Sequence, residues 1–256
     1  WAQSPIPHPQ SPIPNPQIHY NNGYNKFIYL YLKINIILFK KMTEQIDEEV
    51  EQADMTPKGR LIRRVNLDIQ KAKLSEYFTS KGIQSFNIVE TPENYYSMTL
   101  DQRKVIVGCN KEALCKSVIL ENKFFDESIK CPIYKRYYLT VVQYVSEFNA
   151  EKLAKLLRNY INENYNVKVS KKQIHFRVAP KEVAYDMTGF SFNSIGPYLM
   201  KSEDLLIIFP SKLYEIYPQY FYLGGGELEL KVGVNIDDFM RLFGKQTLVI
   251  DTSPDK

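Results

Sequence analysis

Short β-like runs alternate with helical segments along residues 85–250, and this alternation constrains the fold more than any other feature of the sequence. Apolar or alternating residues predict strands at 85–90, 114–121, 137–144, 173–179, 205–210, 227–234 and 247–250. Helices are predicted to begin near Thr99, Asn149, Pro180 and Asp237. The pattern predicts an α/β fold of the mixed α+β kind, a single compact domain with one mixed β-sheet and packed helices.

Two of the helical segments carry apolar stripes that predict their buried faces. The stripe of the helix that Asn149 is suited to cap consists of Leu153, Leu156, Leu157 and Tyr160. A helix from Thr56 has its stripe at Ile62, Val65, Ile69 and Ala72. Basic residues surround this second stripe: Lys58, Arg60, Arg63, Arg64, Lys71 and Lys73. They form either a solvated surface or a docking face for phosphates.

Residues 1–41 differ in composition from the rest of the chain. A proline-rich repeat occupies 4–10 and 11–17, and the apolar run at 27–39 is shorter than the roughly 20 residues that span a bilayer. Lysines follow this run rather than precede it, which is unlike a signal peptide. We expect a disordered or non-native tail at 1–41, read through upstream of Met42, then an acidic stretch and helix at 42–83 and the main domain at 84–252. A cytoplasmic protein without membrane association is expected.

The net charge of +4 arises entirely from lysines within residues 1–41, because the other 29 basic side chains balance the 29 acidic ones. Net charge therefore gives no support for a nucleic-acid partner. Cys109, Cys115 and Cys131 have no CxxC spacing, which favours a reducing compartment over a disulfide framework. Two of the three histidines lie in the proline-rich tail, so we expect no metal site.

Lys116 is the most unusual residue of the predicted strands. In an extended chain it shares a face with Leu114, Val118 and Leu120, where an ammonium is costly unless something satisfies it. One interpretation is a lysine on an edge strand or at a strand end that extends to water. The other is a cation at the rim of a pocket that meets an anionic or polar substrate.

Two glycine-containing loops are further candidates for a site. The segment 188–197 (TGFSFNSIGP) is rich in turn residues, and it is either a plain connection or a source of inward-facing N–H groups that stabilise an oxyanion. Gly224, Gly225 and Gly226 form either a flexible hairpin or a wall that a ligand approaches closely. His175 alternates with apolar neighbours and is interpreted as a surface or structural residue.

Common catalytic motifs are missing from the sequence. There is no GxGxxG, GxxxxGK[ST], HExxH or GxSxG, which removes the usual support for nucleotide-binding, metalloprotease and serine-hydrolase functions. Cys115 adjoins Lys116 but points to the opposite face of the strand, so we interpret it as a core residue.

Over residues 84–252 the chain resembles the YbaK and prolyl-tRNA-synthetase-associated editing domains. The resemblance rests on several motifs in the family's order: LCKS at 114–117, YYLTVVQY at 137–144, TGF at 188–190, Asn193, Pro197 and LGGGE at 223–227. These details are most similar to the stand-alone eukaryotic branch. The resemblance implies a compact α/β domain with a partly barrel-like sheet and no cofactor. It also implies hydrolysis of the ester that joins an amino acid to the 3′ end of tRNA.

The resemblance also implies roles for individual residues. The matching lysine, Lys116, helps to hold the terminal ribose and phosphate. The matching loop contributes Asn193 and Gly196 to catalysis through backbone N–H groups near the carbonyl under attack. Substrate contacts are expected from Ser117, Ser194, Pro197, Gly224, Gly225 and Gly226.

At Asn193 the sequence departs from the bacterial pattern, which has glycine at this position. Asparagine tolerates a left-handed backbone better than most residues, so the turn is compatible with it. Its side chain occupies space that glycine leaves free, which leaves the choice of substrate open.

Two functions from different classes remain. The first is a trans-editing aminoacyl-tRNA deacylase that acts on the 3′ end of aminoacyl-tRNA, with an aminoacyl-tRNA synthetase as an additional partner. The second is a non-catalytic module that keeps the pocket and binds tRNA ends or a synthetase, which the departure at Asn193 favours. A purely structural α/β domain requires the order of the motifs to be coincidental.

Overall fold

The computed structural model of the protein describes residues 56–251. The expectations for the tail at 1–41 and for the acidic residues after Met42 lie outside this range. From Arg60 onwards the chain forms one compact unit. The boundary expected between residues 83 and 84 falls inside this unit, because Leu67, Leu74 and Phe78 of the first helix belong to its main core.

The described residues contain five α-helices and eight strands. The helices are α1 (Pro57–Ser80), α2 (Leu100–Val107), α3 (Ala150–Asn164), α4 (Lys181–Thr188) and α5 (Ile236–Phe243). The strands are β1 (Phe86–Glu90), β2 (Cys115–Asn122), β3 (Tyr137–Gln143), β4 (Phe176–Val178), β5 (Leu206–Pro210), β6 (Tyr220–Gly224), β7 (Leu230–Asn235) and β8 (Thr247–Ile250). Their mixture in one compact unit confirms the predicted α/β fold class.

The strands form two sheets, which corrects the prediction of a single sheet. One sheet is antiparallel with the order β1-β7-β6, and the other is mixed with the order β4-β2-β3-β5-β8. A single parallel bridge between Leu114 and Tyr222 connects them. Beyond the bridge, the backbone of residues 194 and 195 approaches β6 closely at Gly224. A β-carbon on Gly224 would lie 2.5 Å from each of their carbonyl oxygens.

Three local predictions differ from the structure around these strands. Of the predicted strand at 173–179, only Phe176–Val178 forms a strand, because residues 171–173 form a 3-10 turn. Pro180 precedes α4 as its N-cap instead of lying in its first turn. Strand β7 begins at Leu230, because residues 227–230 form a turn closed by the Leu230 N–H donating to the Glu227 carbonyl. Strand β6 was not predicted.

Helix α1 confirms the predicted helix but buries the opposite face. Leu67, Leu74 and Phe78 are buried, whereas the predicted stripe is partly exposed and Ala72 is fully exposed. At 3.6 residues per turn the two sets lie on roughly opposite sides of the helix. Three of the basic residues, Arg63, Arg64 and Lys71, flank the buried side and are engaged in ion pairs. Ion pairs join them to carboxylates of the compact unit: Arg63 to Glu93 and Glu229, and Arg64 and Lys71 to Glu90.

Helices α2 and α3 begin at side chains suited to capping. The side chain of Asn149 accepts a hydrogen bond of 2.9 Å from the Lys152 N–H, which confirms it as the N-cap of α3. Thr99 and Gln102 form a reciprocal capping box at α2. In the predicted α3 stripe Leu153 and Leu157 are buried, but Tyr160 is exposed, because the adjacent Ile161 faces the core instead.

Candidate active site between the two sheets

A cavity of about 410 Å³ opens where the two sheets separate. Lys116 of β2 and Gly224 of β6 line this cavity. Each lies two positions along the chain from the bridge between Leu114 and Tyr222. Apolar walls come from β2, from residues following β4, from α4 and from the loop after it: Val118, Ile119, Ala179, Ala184, Phe190, Phe192 and Ile195. The volume is within the range of small-molecule sites.

Three lysines line the cavity, and none of the lining residues is acidic. Lys116 is exposed at the mouth, with its Nζ 5.8 Å from the centre of the Tyr144 ring. Lys181, at the start of α4, is also exposed and lies 5.0 Å from the Phe192 ring. The third, Lys231, is buried. Such a lining attracts a ligand with a negatively charged part and an apolar part.

The position of Lys116 combines parts of both sequence interpretations. Strand β2 pairs with β3 along its length but with β4 only from Leu120 onwards, so Lys116, next to the start of the strand, has a ladder partner on one side only, as the edge or strand-end interpretation requires. The side chain does reach water, but it does so beside the cavity. Its neighbour Cys115 is buried, which raises the pKa of the thiol well above its ordinary value. Cys115 also lines the cavity, but a protonated thiol is a poor nucleophile.

Ser117 supplies an unpaired hydroxyl to the cavity. It points to the same side of β2 as the buried Cys115 and Ile119. Its Oγ atom is inaccessible to solvent and has no hydrogen-bond partner among the described residues. Buried hydroxyls are normally hydrogen-bonded, so this orphan is a candidate partner for a ligand whose binding moves the groups that cover it.

The loop after α4 adopts a left-handed turn at Asn193. Its φ of 68° lies in a region that asparagine tolerates better than most residues, as the sequence comparison with glycine predicted. Ser194 is fully buried, and its Oγ donates to the Ser191 carbonyl at 2.7 Å. The Gly226 N–H donates to the Ser194 carbonyl at 2.9 Å. These contacts fix the loop against the glycine turn.

The close approach of the loop to the glycine turn depends on residues without side chains. A β-carbon on Gly196 would lie 1.9 Å from the Gly224 carbonyl oxygen. Gly226 has a φ of 92°, and a β-carbon there would lie 2.4 Å from the Gln70 amide nitrogen. That amide donates to the Gly225 carbonyl at 2.9 Å, so α1 supports the turn from behind.

Backbone N–H groups of the loop remain available for a ligand. Within residues 56–251, the N–H groups of Asn193, Ile195 and Gly196 have no hydrogen-bond acceptor. Asn193 and Ile195 also line the cavity. Neighbouring N–H groups without acceptors are the elements from which an oxyanion site is built.

Of the nine predicted site residues, the structure brings four to the cavity itself: Lys116, Ser117, Asn193 and Gly224. Four more do not line it but hold its wall by the backbone contacts described above: Ser194, Gly196, Gly225 and Gly226. Pro197 is buried and does not line the cavity. His175 is exposed and does not line the cavity either.

Lys231 is the site residue that the sequence did not reveal. It is 4% exposed, and its Nζ donates to the Tyr96 hydroxyl at 2.5 Å. The Tyr96 hydroxyl in turn donates to the Asn193 carbonyl, which links β7 to the loop after α4. Burial, and secondarily the charge of Arg103, lower the pKa of Lys231 to about 7. The alternation in ELELKVGV suggests a solvent-facing lysine, whereas residues 230–234 of β7 are all buried.

Arg103 of α2 holds the tyrosines that surround Lys231. Its Nε donates to the Tyr95 carbonyl at 3.0 Å and its Nη2 to the Tyr96 carbonyl at 2.5 Å. The guanidinium carbon lies 5.2–5.4 Å from the ring centres of Tyr95, Tyr96 and Tyr144. Burial raises the pKa values of Tyr95 and Tyr96 well above their ordinary range, so both hydroxyls stay protonated.

Solved structures share this architecture. A candidate trans-editing enzyme for prolyl-tRNA synthetase matches 73% of this chain and 98% of its own, with a TM-score of 0.54 and 17% identity. The fold is therefore shared. A scaffold from computational epitope grafting matches the same shares of the two chains at 16% identity and a TM-score of 0.54. A protein designated hypothetical matches 71% of this chain and 99% of its own, with a TM-score of 0.51 and 14% identity.

At sequence identities of 14–17%, these matches show a shared fold and not a shared activity. No model of a protein family matches the chain, and no curated protein matches it. Within residues 56–251, none of the helices combines the length and apolar character needed to cross a membrane. The same residues contain no group of three or more histidine, cysteine, aspartate or glutamate side chains arranged to hold a metal ion.

Proposed function

We propose that this protein is an aminoacyl-tRNA deacylase that acts in trans and hydrolyses the ester between a wrongly attached amino acid and the 3′ end of tRNA. The cavity between the sheets carries the proposal. It combines a lysine at its mouth, apolar walls and the N–H groups of Asn193 and Ile195, which lack acceptors. The fold shared with a candidate trans-editing enzyme agrees with it.

The lining suggests how the substrate lies in the cavity. The exposed ammonium groups of Lys116 and Lys181 are suited to the phosphate and ribose of the terminal nucleotide. The apolar wall formed by Ile119, Phe190 and Ile195 is suited to the side chain of the amino acid. The unpaired hydroxyl of Ser117 is a hydrogen-bonding group for the same substrate.

The reaction is attack by a water molecule on the carbonyl carbon of the ester. Negative charge develops on the carbonyl oxygen, and the N–H groups of Asn193 and Ile195, which line the cavity, stabilise it. Loss of one such donor typically lowers the rate about 10²- to 10³-fold. No side-chain nucleophile takes part in this scheme.

The test is deacylation of a full panel of mischarged tRNAs by the purified protein. We expect at least one to be cleaved, and Lys116→Ala to lower kcat/KM about 10- to 100-fold, as loss of a charged hydrogen-bond donor does. Lys155→Ala, on the exposed side of α3, is the matched control and should behave as wild type. Binding of tRNA ends without cleavage would instead support the non-catalytic module.

We also propose that the reaction takes place in the cytoplasm and that an aminoacyl-tRNA synthetase is a partner. Of the basic residues of α1, Arg63, Arg64 and Lys71 are paired with carboxylates, so they offer little charge to a tRNA body. A partner that supplies this affinity would explain how a small domain recognises a whole tRNA.

A further inference from the structure

Lys231 is a buried amine without a counter-charge. Its neighbours are neutral or positive: Tyr95 and Tyr96 before α2, Arg103 on α2, and the backbone of Val89 and Gly224 on the neighbouring strands. Tyr144 and the lysines Lys116 and Lys181 line the same cavity, which contains no acidic residue. Within residues 56–251 no carboxylate forms an ion pair with it. The nearest acidic residues along β7 and β1, Glu229 and Glu90, are committed to arginine and lysine side chains of α1.

This surrounding favours the uncharged amine. An ammonium in a buried site is destabilised unless an anion compensates for it, and here a guanidinium adds repulsion. The resulting pKa of about 7 leaves a large part of Lys231 neutral at neutral pH. A group whose pKa is near the working pH is the most effective general base.

The location of Lys231 connects it to the proposed chemistry. Its side chain lines the same cavity as Ser117, Asn193 and Ile195. Strand β7 places it directly opposite Gly224, the glycine against which the loop packs. The hydrogen bonds from Lys231 to Tyr96 and from Tyr96 to the Asn193 carbonyl hold the amine at a fixed place relative to the loop.

We propose that Lys231 is the general base of the reaction, and that its neutral amine takes a proton from the water that attacks the ester carbonyl. This role rests on the proposed deacylase function. The water oxygen forms the new bond to the carbonyl carbon as its proton passes to Nζ. When the tetrahedral intermediate collapses, the bond to the ribose oxygen breaks, and the ammonium returns the proton to that oxygen. The amine is regenerated and no other reactant is consumed.

Two substitutions distinguish a general-base role of Lys231 from a structural role and from a role that needs only its positive charge. Lys231→Met keeps the length of the side chain and removes the base, and we expect kcat to fall about 10²- to 10⁴-fold. Lys231→Arg keeps a permanent positive charge, and we expect a loss of similar size because the guanidinium cannot accept a proton. Lys155→Met is the control for the loss of one lysine and should retain wild-type kinetics.

The pH dependence of kcat/KM distinguishes a base from a structural residue, because a purely structural lysine would not determine this profile. As the pH is lowered below 7, wild-type kcat/KM should decrease because Lys231 becomes protonated. The residual activity of Lys231→Met should not show this decrease. Full activity of Lys231→Arg, or wild-type activity of Lys231→Met, would overturn the base role while leaving the deacylase intact. If the wild type cleaves no ester in the panel, the deacylase function fails and the base role fails with it.

Titration of Lys231 itself adds a measurement independent of catalysis. The full chain is reductively methylated with ¹³C-formaldehyde, and the Lys231 signal is assigned by its absence from Lys231→Met. We expect this signal to titrate near neutral pH. Titration of Lys231 in the ordinary range of lysine would overturn the proposal even in an active enzyme.

Discussion

A β-carbon at Gly196 would lie 1.9 Å from the carbonyl oxygen of Gly224. The loop after α4 and the glycine turn after β6 therefore meet backbone to backbone, and the cavity wall depends on that contact. Because a carbonyl oxygen cannot move without its strand, the contact leaves no room for any other residue at position 196.

Gly196→Ala should displace the loop and destabilise the protein by about 1–3 kcal/mol, the usual cost of forcing an extra methyl group into a packed site. Deacylation should fall sharply because the loop N–H groups move with the backbone. Gly244→Ala is the control, since its nearest contact would be an ordinary 4.0 Å. Urea unfolding of both variants measures the difference, and equal free energies of unfolding would contradict the described contact.

Asn193→Ala should cost about 1–2 kcal/mol, because alanine lacks the local hydrogen bonding that helps asparagine adopt the left-handed φ of 68°. Asn193→Gly should keep the loop conformation and the deacylase rate, since glycine adopts this φ without strain. Thermal unfolding and the deacylation rate are measured on both variants. A loop that tolerates alanine as well as glycine would show that the left-handed turn does not constrain this position.

Ser117→Ala separates binding from folding. Its Oγ has no partner in the described protein, so removing it should leave the free energy of unfolding unchanged or slightly raised. If the hydroxyl binds substrate, kcat/KM should fall about threefold to tenfold, the effect of one neutral hydrogen bond. Steady-state kinetics beside urea unfolding test this. A variant that is destabilised but fully active would contradict the assignment of Ser117 to the substrate.

The stability of the fold should depend on pH through Lys231. Its pKa is lowered from 10.5 to about 7, so between these values the unfolded chain binds more protons than the folded protein. The free energy of unfolding contributed by this group therefore rises with pH across that window. Lys231→Met should be more stable than wild type at pH 7, and the difference should shrink towards pH 10. Parallel stability curves for the two proteins would show that Lys231 has no unusual pKa.

Local patterns predicted much of the fold because the apolar residues of a strand and the cap of a helix are visible in sequence. The N-cap Asn149 and strand β3 are examples. Strand β6 was missed because its aromatic residues run directly into a glycine turn. The buried face of α1 differs from the prediction because Leu67, Leu74 and Phe78 pack into the main core, while Arg63 and Arg64 beside them pair with carboxylates that are distant in sequence.

The candidate site was predictable where a residue conflicts with its local pattern, as Lys116 does among apolar neighbours. Lys231 gave no such signal, because charged residues alternate regularly with apolar ones in its strand. Its burial depends on Tyr95 and Tyr96, which lie far away in sequence. Contacts of that range depend on how the chain folds in three dimensions, so a single sequence does not show them.

Hydrolysis of mischarged aminoacyl-tRNA by the wild-type chain is the most direct test of the proposed function. The rate at which labelled amino acid leaves each tRNA of the panel is compared with spontaneous hydrolysis and with Lys116→Ala. We expect wild-type release well above the spontaneous rate for at least one mischarged tRNA, reduced by Lys116→Ala and retained by Lys155→Ala. Release at the spontaneous rate for every tRNA in the panel would contradict the assignment of this cavity as a deacylase active site.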